Sequence, residues 1–192
     1  MGKEGLRVKV DVRPVKLKMS SGKKLTLSGI VPQTIVDGQG LRMAVYAQGC
    51  PHNCKGCHNP ETLPFEGGTE YTVEQILNMA AANPLLDGLT LSGGEPFCQA
   101  AAFGELAARA RERGLNVWTY TGYTFEEITN YKLQITNSDM LFLLDNTDVL
   151  VDGRFVEARK SPLLCFRGSD NQRLIDVKKS LERGKVVEIS QC

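Results

Sequence analysis

The feature that most constrains this chain is a run of three cysteines, Cys50, Cys54 and Cys57, in the spacing Cys-x3-Cys-x2-Cys. Thiolates at this spacing can surround one pole of a small inorganic cluster, and Gly49 and Gly56 let the loop adopt backbone angles that other residues resist. No fourth cysteine follows at a matching spacing. Structural zinc sites and simple electron-carrying 4Fe-4S sites take four protein ligands, so three cysteines favour a cluster with one iron open to a substrate.

Two other interpretations of the cysteine run stay open. His52 or His58 could supply a fourth ligand and complete a zinc site, although a single histidine is weak evidence for a ligand. We expect His58 to orient the loop or to line the site. The cysteines could also form disulfides, but the N-terminus does not resemble a signal peptide and no apolar run is long enough to span a bilayer. We therefore expect a reduced, cytoplasmic setting.

A second motif lies at residues 89–96, which read LTLSGGEP. Here a short apolar strand ends in two glycines and an acid. Ligands of α/β folds bind beyond the carboxyl ends of strands. Gly93, Gly94 and Glu95 therefore present exposed backbone and one carboxylate at a position suited to a ligand.

Together the two motifs resemble those of the radical S-adenosylmethionine (AdoMet) superfamily. The resemblance implies that the three cysteines bind a 4Fe-4S cluster whose fourth iron is chelated by AdoMet, and that the glycine motif contacts the methionine amino group. Thr119 and Thr121 end a later strand and could reach the ribose or carboxylate of AdoMet, although threonine is also a common strand residue. The candidate AdoMet-binding residues are Gly56, Cys57, His58, Gly93, Gly94, Glu95, Thr119 and Thr121.

The sequence around the cysteines more closely resembles one family, the anaerobic ribonucleoside-triphosphate reductase-activating proteins. Residues 50–62 read CPHNCKGCHNPET, and Gly56 fills a position that is usually aromatic in the superfamily but commonly glycine in this family. The segments TYTGY at 119–123, VLVDGRF at 149–155 and FRGSDNQR at 166–173 resemble the same family. The resemblance covers most of the chain, and its elements occur in the expected order.

This resemblance implies an activating enzyme with no catalytic residue beyond the cluster site. The reduced cluster passes one electron to AdoMet, which yields methionine and a 5′-deoxyadenosyl radical. That radical takes a hydrogen atom from a glycine in the glycyl radical subunit of the anaerobic ribonucleoside-triphosphate reductase. Cluster potentials span roughly −700 to +450 mV and AdoMet cleavage needs the low end, so we expect a flavodoxin-like or ferredoxin-like electron donor.

The sequence leaves two alternative functions open. The first is an activase of another glycyl radical enzyme such as pyruvate formate-lyase, or a small radical AdoMet enzyme of deazapurine synthesis. Gly56 and the tail HNPET at 58–62 argue against it. The second is a non-catalytic zinc or iron-sulfur module. Metal and sulfide analysis of anaerobically prepared protein tests for a zinc module, because four irons with labile sulfide would exclude zinc.

The order of the predicted elements defines the fold class. Helices are predicted at 72–82, 100–113, 124 onwards, 139–144 and 176–183, and strands at 41–48, 88–92, 116–121, 149–151 and 185–189. This alternation indicates an α/β fold with a mostly parallel sheet and right-handed crossovers. The units are too few for a closed eight-fold barrel. We therefore expect an open, partial (β/α) barrel, which the radical AdoMet resemblance also implies.

The N-terminus differs from the rest, so we divide the chain into a basic extension, 1–24, and a radical AdoMet domain, 25–192. The extension contains eight Lys or Arg and two acidic residues, a net charge of +6. Residues 6–13 alternate between apolar and polar, which is the period of a half-buried strand and would add an edge strand. A basic arm for an acidic partner and a solvated strand face are both open interpretations. The whole chain has a net charge of only +1, which argues against nucleic-acid and membrane partners.

Five residues receive no firm role from the sequence. Asp152 ends a strand and could bind a ligand or form an Asp-Gly turn. Arg167 could pair with a carboxylate in the pocket or with an acid on the surface. Cys98, Cys165 and Cys192 lie outside the cysteine run, and we expect them to be small core or tail residues.

Removal of one cluster ligand gives a first test. With 192 residues, 42% of them hydrophobic, the chain can bury a proper core without a metal. Cys54→Ala is therefore expected to abolish AdoMet cleavage, measured as methionine release, while circular dichroism shows a folded protein. Global unfolding of this variant would instead identify the cysteine run as a structural metal site.

Overall fold

The computed structural model describes residues 22–130 and 138–189. Within these ranges, seven strands form one sheet, accompanied by five α-helices. The strands are β1 Lys24–Thr34, β2 Arg42–Ala47, β3 Thr69–Thr72, β4 Gly88–Gly93, β5 Asn116–Tyr120, β6 Val149–Asp152 and β7 Arg173–Asp176. The helices are α1 Val73–Ala81, α2 Ala100–Glu112, α3 Phe125–Thr129, α4 Ser138–Asp145 and α5 Val177–Arg183.

The sheet has the strand order β3-β1-β2-β4-β5-β6-β7, and among the described strands its two outer members do not pair with each other. The central strands β2, β4, β5 and β6 run parallel, and helices occupy the crossovers between them. The outer strands β1, β3 and β7 pair antiparallel with their neighbours. This topology confirms the predicted α/β fold with an open sheet and a parallel centre.

The parallel register brings the two sequence motifs to one edge of the sheet. Ala47 at the end of β2 pairs with Gly93 at the end of β4, and Leu91 of β4 pairs with Thr119 of β5. The loop with the three cysteines therefore leaves the sheet beside the loop with the glycine motif. The edge beyond the carboxyl ends of parallel strands is where ligands bind in α/β proteins.

The two faces of the sheet belong to two apolar clusters. On one face, strand side chains pack with the helices in the main core, whose fully buried members include Leu89, Phe103 and Leu106. On the other face, Trp118 and Val151 belong to a smaller cluster. Successive residues of β6 belong to the two clusters in turn, with Leu150 in the main core and Val149 and Val151 in the smaller cluster, because side chains alternate along a strand. Full burial of a Leu or Phe side chain contributes about 1.5–3 kcal/mol, so the helix-covered face is the main source of stability.

Most predicted elements are confirmed to within two residues, because their ends carry local signals. Thr72 and Thr124 both form the capping boxes that the sequence predicts at the starts of α1 and α3. Asp176 caps α5, and Gly184 ends that helix in the left-handed backbone region, with φ +62°.

The last predicted strand, 185–189, is wrong. This segment makes one bridge, between Ile175 and Glu188, while the amide of Val187 donates to the Ser180 hydroxyl at 2.8 Å. The segment makes some of its hydrogen bonds to β7 and others to α5. It therefore does not form a continuous β-ladder with β7. The structure also contains three strands, β1, β3 and β7, that have no counterpart among the predicted ones.

Predictions for the N-terminus remain untested. The edge strand predicted at 6–13 lies outside the described residues, and the division of the chain at residue 24 stays a prediction. The first described strand begins at Lys24. No helix in the described ranges is long and apolar enough to cross a bilayer.

Arg42 closes the end of the sheet that lies opposite the two motifs. The residue is 1% exposed, and its guanidinium carbon lies 5.4 Å from the centre of the Trp118 ring. It donates to the backbone oxygens of Leu89 and Asn116 at 2.6 and 3.0 Å and to the Thr90 hydroxyl at 2.7 Å. Burial lowers the pKa of Arg42 to about 10, so the group stays charged at neutral pH. This one side chain therefore ties β2, β4 and β5 together.

Arg42→Met keeps an apolar stem but removes every donor of the guanidinium. The acceptors left unpaired are buried, so the free energy of unfolding is expected to fall by about 3 kcal/mol or more in urea titrations at pH 7. Lys24→Met is the control, since Lys24 is an exposed cation paired with an exposed Glu70, and its stability is expected to stay close to that of the wild type. Similar losses in the two variants would show that Arg42 does not tie the strands.

Candidate active site

A cavity of about 400 Å³ opens beyond the carboxyl ends of the parallel strands. Its wall is formed by the loops that follow β2, β4, β5 and β6 and by the turn before β2. Cys50, Cys54 and Cys57 line this cavity together with Gly93 and Gly94. The two sequence motifs therefore meet at one site.

Three residues in the left-handed backbone region shape the cysteine loop. They are Gly49 with φ +92°, Asn53 with φ +45° and Gly56 with φ +72°. Glycine adopts this region freely, and asparagine tolerates it better than most other residues. The amide of Cys57 donates to the Cys54 carbonyl at 3.1 Å and closes a turn. These reversals bring the three cysteines to the same cavity.

The cysteines of this loop are free thiols of intermediate exposure. Burial raises the pKa of the Cys50 thiol, and thiolate is the form that binds metal. Within residues 22–130 and 138–189, no three His, Cys, Asp or Glu side chains form a group that could bind a single metal ion. Three thiols in one cavity wall are the donor set that fits a 4Fe-4S cluster with one open iron.

The two histidines of the loop have different surroundings. The His52 side chain is 4% exposed, its Nε2 lies 2.8 Å from the Glu95 carboxylate, and its ring makes an edge contact with Tyr123. His58 lines the cavity, with its ring centre 4.8 Å from that of Phe155. His52 thus has its Nε2 engaged inside the protein, which argues against the zinc-ligand interpretation of that residue.

Glu95 is 0% exposed and uses both carboxylate oxygens to accept hydrogen bonds within the protein. Its Oε2 accepts from His52 Nε2 at 2.8 Å and from the Gly122 amide at 2.9 Å. Its Oε1 accepts from the Thr121 hydroxyl at 2.9 Å and from the Phe97 amide at 3.0 Å. The carboxylate lies behind the cavity wall, and a contact between Glu95 and AdoMet stays a prediction.

Gly93 and Gly94 lie where β2 and the start of the cysteine loop pass through the space of a side chain. An added Cβ at Gly94 would lie 2.4 Å from the Gly49 carbonyl oxygen, and one at Gly93 would lie 2.6 Å from the Tyr46 Cα. The Gly94 amide donates to the Ala47 carbonyl at 2.8 Å. The glycine motif is therefore packed directly on the start of the cysteine loop.

Five of the eight candidate AdoMet-binding residues line the cavity, namely Cys57, His58, Gly93, Gly94 and Thr121. Gly56 instead lies against the loop after β6, where an added Cβ would lie 3.0 Å from a carboxylate oxygen of Glu157. Lys55 forms an exposed ion pair with the same carboxylate at 3.1 Å. Gly56 therefore marks a contact between two loops, and its contact with AdoMet stays a prediction.

The structure corrects the expectation for Thr119. Side chains alternate along β5, and Thr119 points to the helix-covered face, where its hydroxyl lies 2.8 Å from that of Thr147. Thr119 is fully buried there and cannot reach a ligand in the cavity. Its neighbours Tyr120 and Thr121 line the cavity instead.

The turn before β2 and the strand itself contribute residues that the sequence did not single out for the site. Asp37 and Tyr46 line the cavity, with the Tyr46 hydroxyl 3.4 Å from the Asp37 carboxylate. Burial and the nearby Asp37 charge raise the pKa of Tyr46 to about 12, so the phenol keeps its proton at neutral pH. The turn sequence DGQG at 37–40 is the signal that could have pointed to this part of the wall.

Asp152 at the end of β6 has a structural role. It is 1% exposed and accepts hydrogen bonds from the Phe125 amide at 2.7 Å and from Arg173 Nε at 2.9 Å. Arg173 also pairs with Glu126, and hydrogen bonds to these two carboxylates raise the pKa of Arg173. Asp152 therefore joins β6 to β7 and to the start of α3.

The loop after β6, residues 153–172, carries Arg167 into the cavity wall. The Nη1 of Arg167 donates to the Gln172 carbonyl at 3.0 Å, while its Nε is buried and has no hydrogen-bond partner in the described part of the chain. The preceding Phe166 has φ +55°, a conformation that is uncommon for a bulky side chain, and its ring packs edge-on against Trp118. Arg167 therefore lines the cavity with one guanidinium donor left unpaired among the described residues.

Two further described cysteines, Cys98 and Cys165, lie outside this wall. Cys98 and Cys165 are exposed free thiols, so neither is the core residue that the sequence suggested. Cys192 lies outside the described residues. Among the described residues, the thiols that line the cavity are therefore those of the cysteine run.

The chain is similar to known proteins over most of its length. A family model described as a 4Fe-4S single cluster domain matches residues 36–175. Anaerobic ribonucleoside-triphosphate reductase-activating proteins are similar in sequence. That of Vibrio cholerae is 35% identical over 73% of this chain and 91% of its own length, and that of Escherichia coli K12 is 34% identical over 73% and 92%. The protein of the same description from Enterobacteria phage T4 is 32% identical over 76% and 90%.

One solved structure is similar in part. It is QueE from Escherichia coli, which is 12% identical in sequence and superimposes with a TM-score of 0.47. The superposition covers 67% of this chain and 70% of QueE.

Proposed function

The chain belongs to the family of anaerobic ribonucleoside-triphosphate reductase-activating proteins, and we propose that it generates the glycyl radical of that reductase. The observation that carries this proposal is the meeting of three free cysteines with Gly93 and Gly94 in one cavity. The chain also covers about nine-tenths of the length of the relatives that carry this description. The family's activity can therefore be assigned to a site that this chain contains.

The cofactors of this activity are a 4Fe-4S cluster and AdoMet. Cys50, Cys54 and Cys57 would bind the cluster and leave one iron without a protein ligand. AdoMet would lie beside that iron, against the backbone of Gly93 and Gly94. When both are bound, they supply the one-electron chemistry that removes a hydrogen atom from a glycine Cα.

The cavity wall can keep water away from this chemistry. Phe155, Leu164 and Phe166 line the side formed by the loop after β6. Val36 lines the cavity from the turn before β2 and is 73% exposed, and Leu163, next to Leu164, is 90% exposed. The mouth therefore keeps exposed apolar side chains, which a segment of the reductase that carries the glycine would cover.

Two further parts of the proposal concern the setting of the reaction. Reduction of a low-potential cluster calls for a low-potential donor, so we expect a flavodoxin-like or ferredoxin-like protein to deliver the electron. The cysteines of the run must stay reduced to bind the cluster, which suits a reducing, cytoplasmic setting.

Arg167 is the group in the wall that can pair with a carboxylate. Among the described residues that line the cavity, no other is a Lys or Arg, so Arg167 provides the permanent positive charge there. Its Nε has no hydrogen-bond partner among the described residues. AdoMet brings a carboxylate to this cavity. Charge-assisted hydrogen bonds from guanidinium to carboxylate are among the strong ones, so Arg167 would contribute to AdoMet affinity.

The proposed activity is tested by electron paramagnetic resonance under argon. Reconstituted protein, reduced with dithionite and mixed with AdoMet and the anaerobic reductase, is expected to produce a glycyl radical doublet on the reductase. Mixtures without AdoMet, or with Cys54→Ala, serve as controls and are expected to remain silent. A doublet with pyruvate formate-lyase but none with the reductase would overturn the choice of partner.

The electron donor is tested in the same assay by replacing dithionite with reduced flavodoxin or with reduced ferredoxin. If neither protein yields the doublet, the proposal of a flavodoxin-like or ferredoxin-like donor is wrong.

Arg167→Gln tests the carboxylate contact in the cluster-loaded protein. Loss of a charged hydrogen bond costs about 1.5–3 kcal/mol, so the dissociation constant of AdoMet is expected to rise at least about tenfold in equilibrium dialysis. Arg159→Gln is the matched control, because Arg159 lies on the same loop, is half exposed and pairs with Asp170 outside the cavity wall. Equal affinities of wild type and Arg167→Gln would refute the contact.

A further inference from the structure

Three loops at the cavity are joined through a single buried carboxylate. The hydrogen-bond donors to Glu95 come from His52 in the cysteine loop, from Phe97 after the glycine motif, and from Thr121 and Gly122 after β5. Each of these loops also contributes to the cavity wall. The position of each loop is therefore coupled to the other two at one point.

His52 occupies its place because Gly122 has no side chain. An added Cβ at Gly122 would lie 2.3 Å from His52 Cδ2 and 2.6 Å from His52 Nε2, and Gly122 has no φ in the left-handed region. The edge of the His52 ring packs on Tyr123, with ring centres 4.6 Å apart. The imidazole is thus enclosed between two consecutive residues of the loop after β5, with its Nε2 directed at Glu95.

In the described part of the chain, the backbone hydrogen bonds between the glycine motif and the cysteine loop reach only the start of that loop. The amides of Gly94 and Glu95 donate to the carbonyls of Ala47 and Gly49, each at 2.8 Å. Both acceptors precede the first cysteine. His52 lies between Cys50 and Cys54, so its bond to Glu95 carries the connection into the part of the loop that bears the thiols.

We propose that His52 is a positioning residue that acts through Glu95 to align the cysteine loop with the Gly93–Gly94 turn. The inference rests on the proposed function, because the ligand whose binding needs this alignment is AdoMet, which must meet the open iron and the glycines at the same time. A small displacement of the residues that bind a ligand causes a large loss of binding free energy. Loss of the His52 bond therefore weakens AdoMet binding while the cluster is retained.

The first experiment compares His52→Leu with His52→Gln, which keeps an N–H donor. Iron and sulfide content, AdoMet dissociation constant by equilibrium dialysis, and the change that AdoMet causes in the spectrum of the reduced cluster are measured for each. His52→Leu is expected to keep a full cluster, to bind AdoMet about tenfold more weakly and to show a reduced spectral change. His52→Gln is expected to recover most of the affinity. Wild-type affinity in His52→Leu, or loss of its cluster, would overturn the proposal.

The second experiment approaches the same contact from Gly122. Gly122→Ala places a methyl group within the His52 ring, so it is expected to weaken AdoMet binding about as much as His52→Leu. In a His52→Ala background the ring is gone, so Gly122→Ala is expected to cause no further loss of AdoMet affinity. The effects of the two substitutions on AdoMet affinity would then be non-additive in a double-mutant cycle. Additive losses would show that the two residues act independently and would refute the proposal.

These measurements are separate from the test of function. AdoMet affinity and cluster spectra require no reductase, so they can succeed or fail whichever enzyme the protein activates. A wild-type protein that binds AdoMet but activates no reductase would remove the proposed function and leave the role of His52 intact.

Discussion

A carboxylate cut off from water must find its hydrogen bonds inside the protein, and at Glu95 this requirement organises the site. The effective penalty for burying an unpaired ion is several kcal/mol, so the charge is tolerated only while its donors stay in place. Those donors belong to the cysteine loop, to the turn after the glycine motif and to the end of β5. Displacement of one loop would leave the carboxylate short of a partner, so the three loops form one connected unit.

Glycine completes this unit by making room for its neighbours. The backbone of the cysteine loop passes through the space of a Gly94 side chain, and the His52 ring fills that of Gly122. Together, the missing side chains let loops approach more closely than Cβ atoms permit. A role for glycine as a flexible residue, which the sequence suggests for the cysteine loop, describes only part of its function here.

Features with local causes could be predicted from the sequence, and those with distant causes could not. Capping residues such as Thr72 and the spacing of the cysteines depend on near neighbours, so the helices and the cluster loop were within reach. The strands β1, β3 and β7 exist because of pairing partners far along the chain, which no local pattern reveals. Thr119 was misjudged because it lies near the carboxyl end of its strand, whereas alternation along β5 turns its side chain to the helices. Arg167 and Asp152 acquire their roles only from what surrounds them in three dimensions.

The apolar core and the thiols occupy separate parts of the protein, so damage by air at the thiols need not reach the core. The helix-covered core lies on one face of the sheet, whereas the thiols project from loops beyond its edge. Oxidative destruction of an inorganic centre in those loops leaves the scaffold beneath it packed. Such a scaffold would be a lasting template on which the centre could be rebuilt.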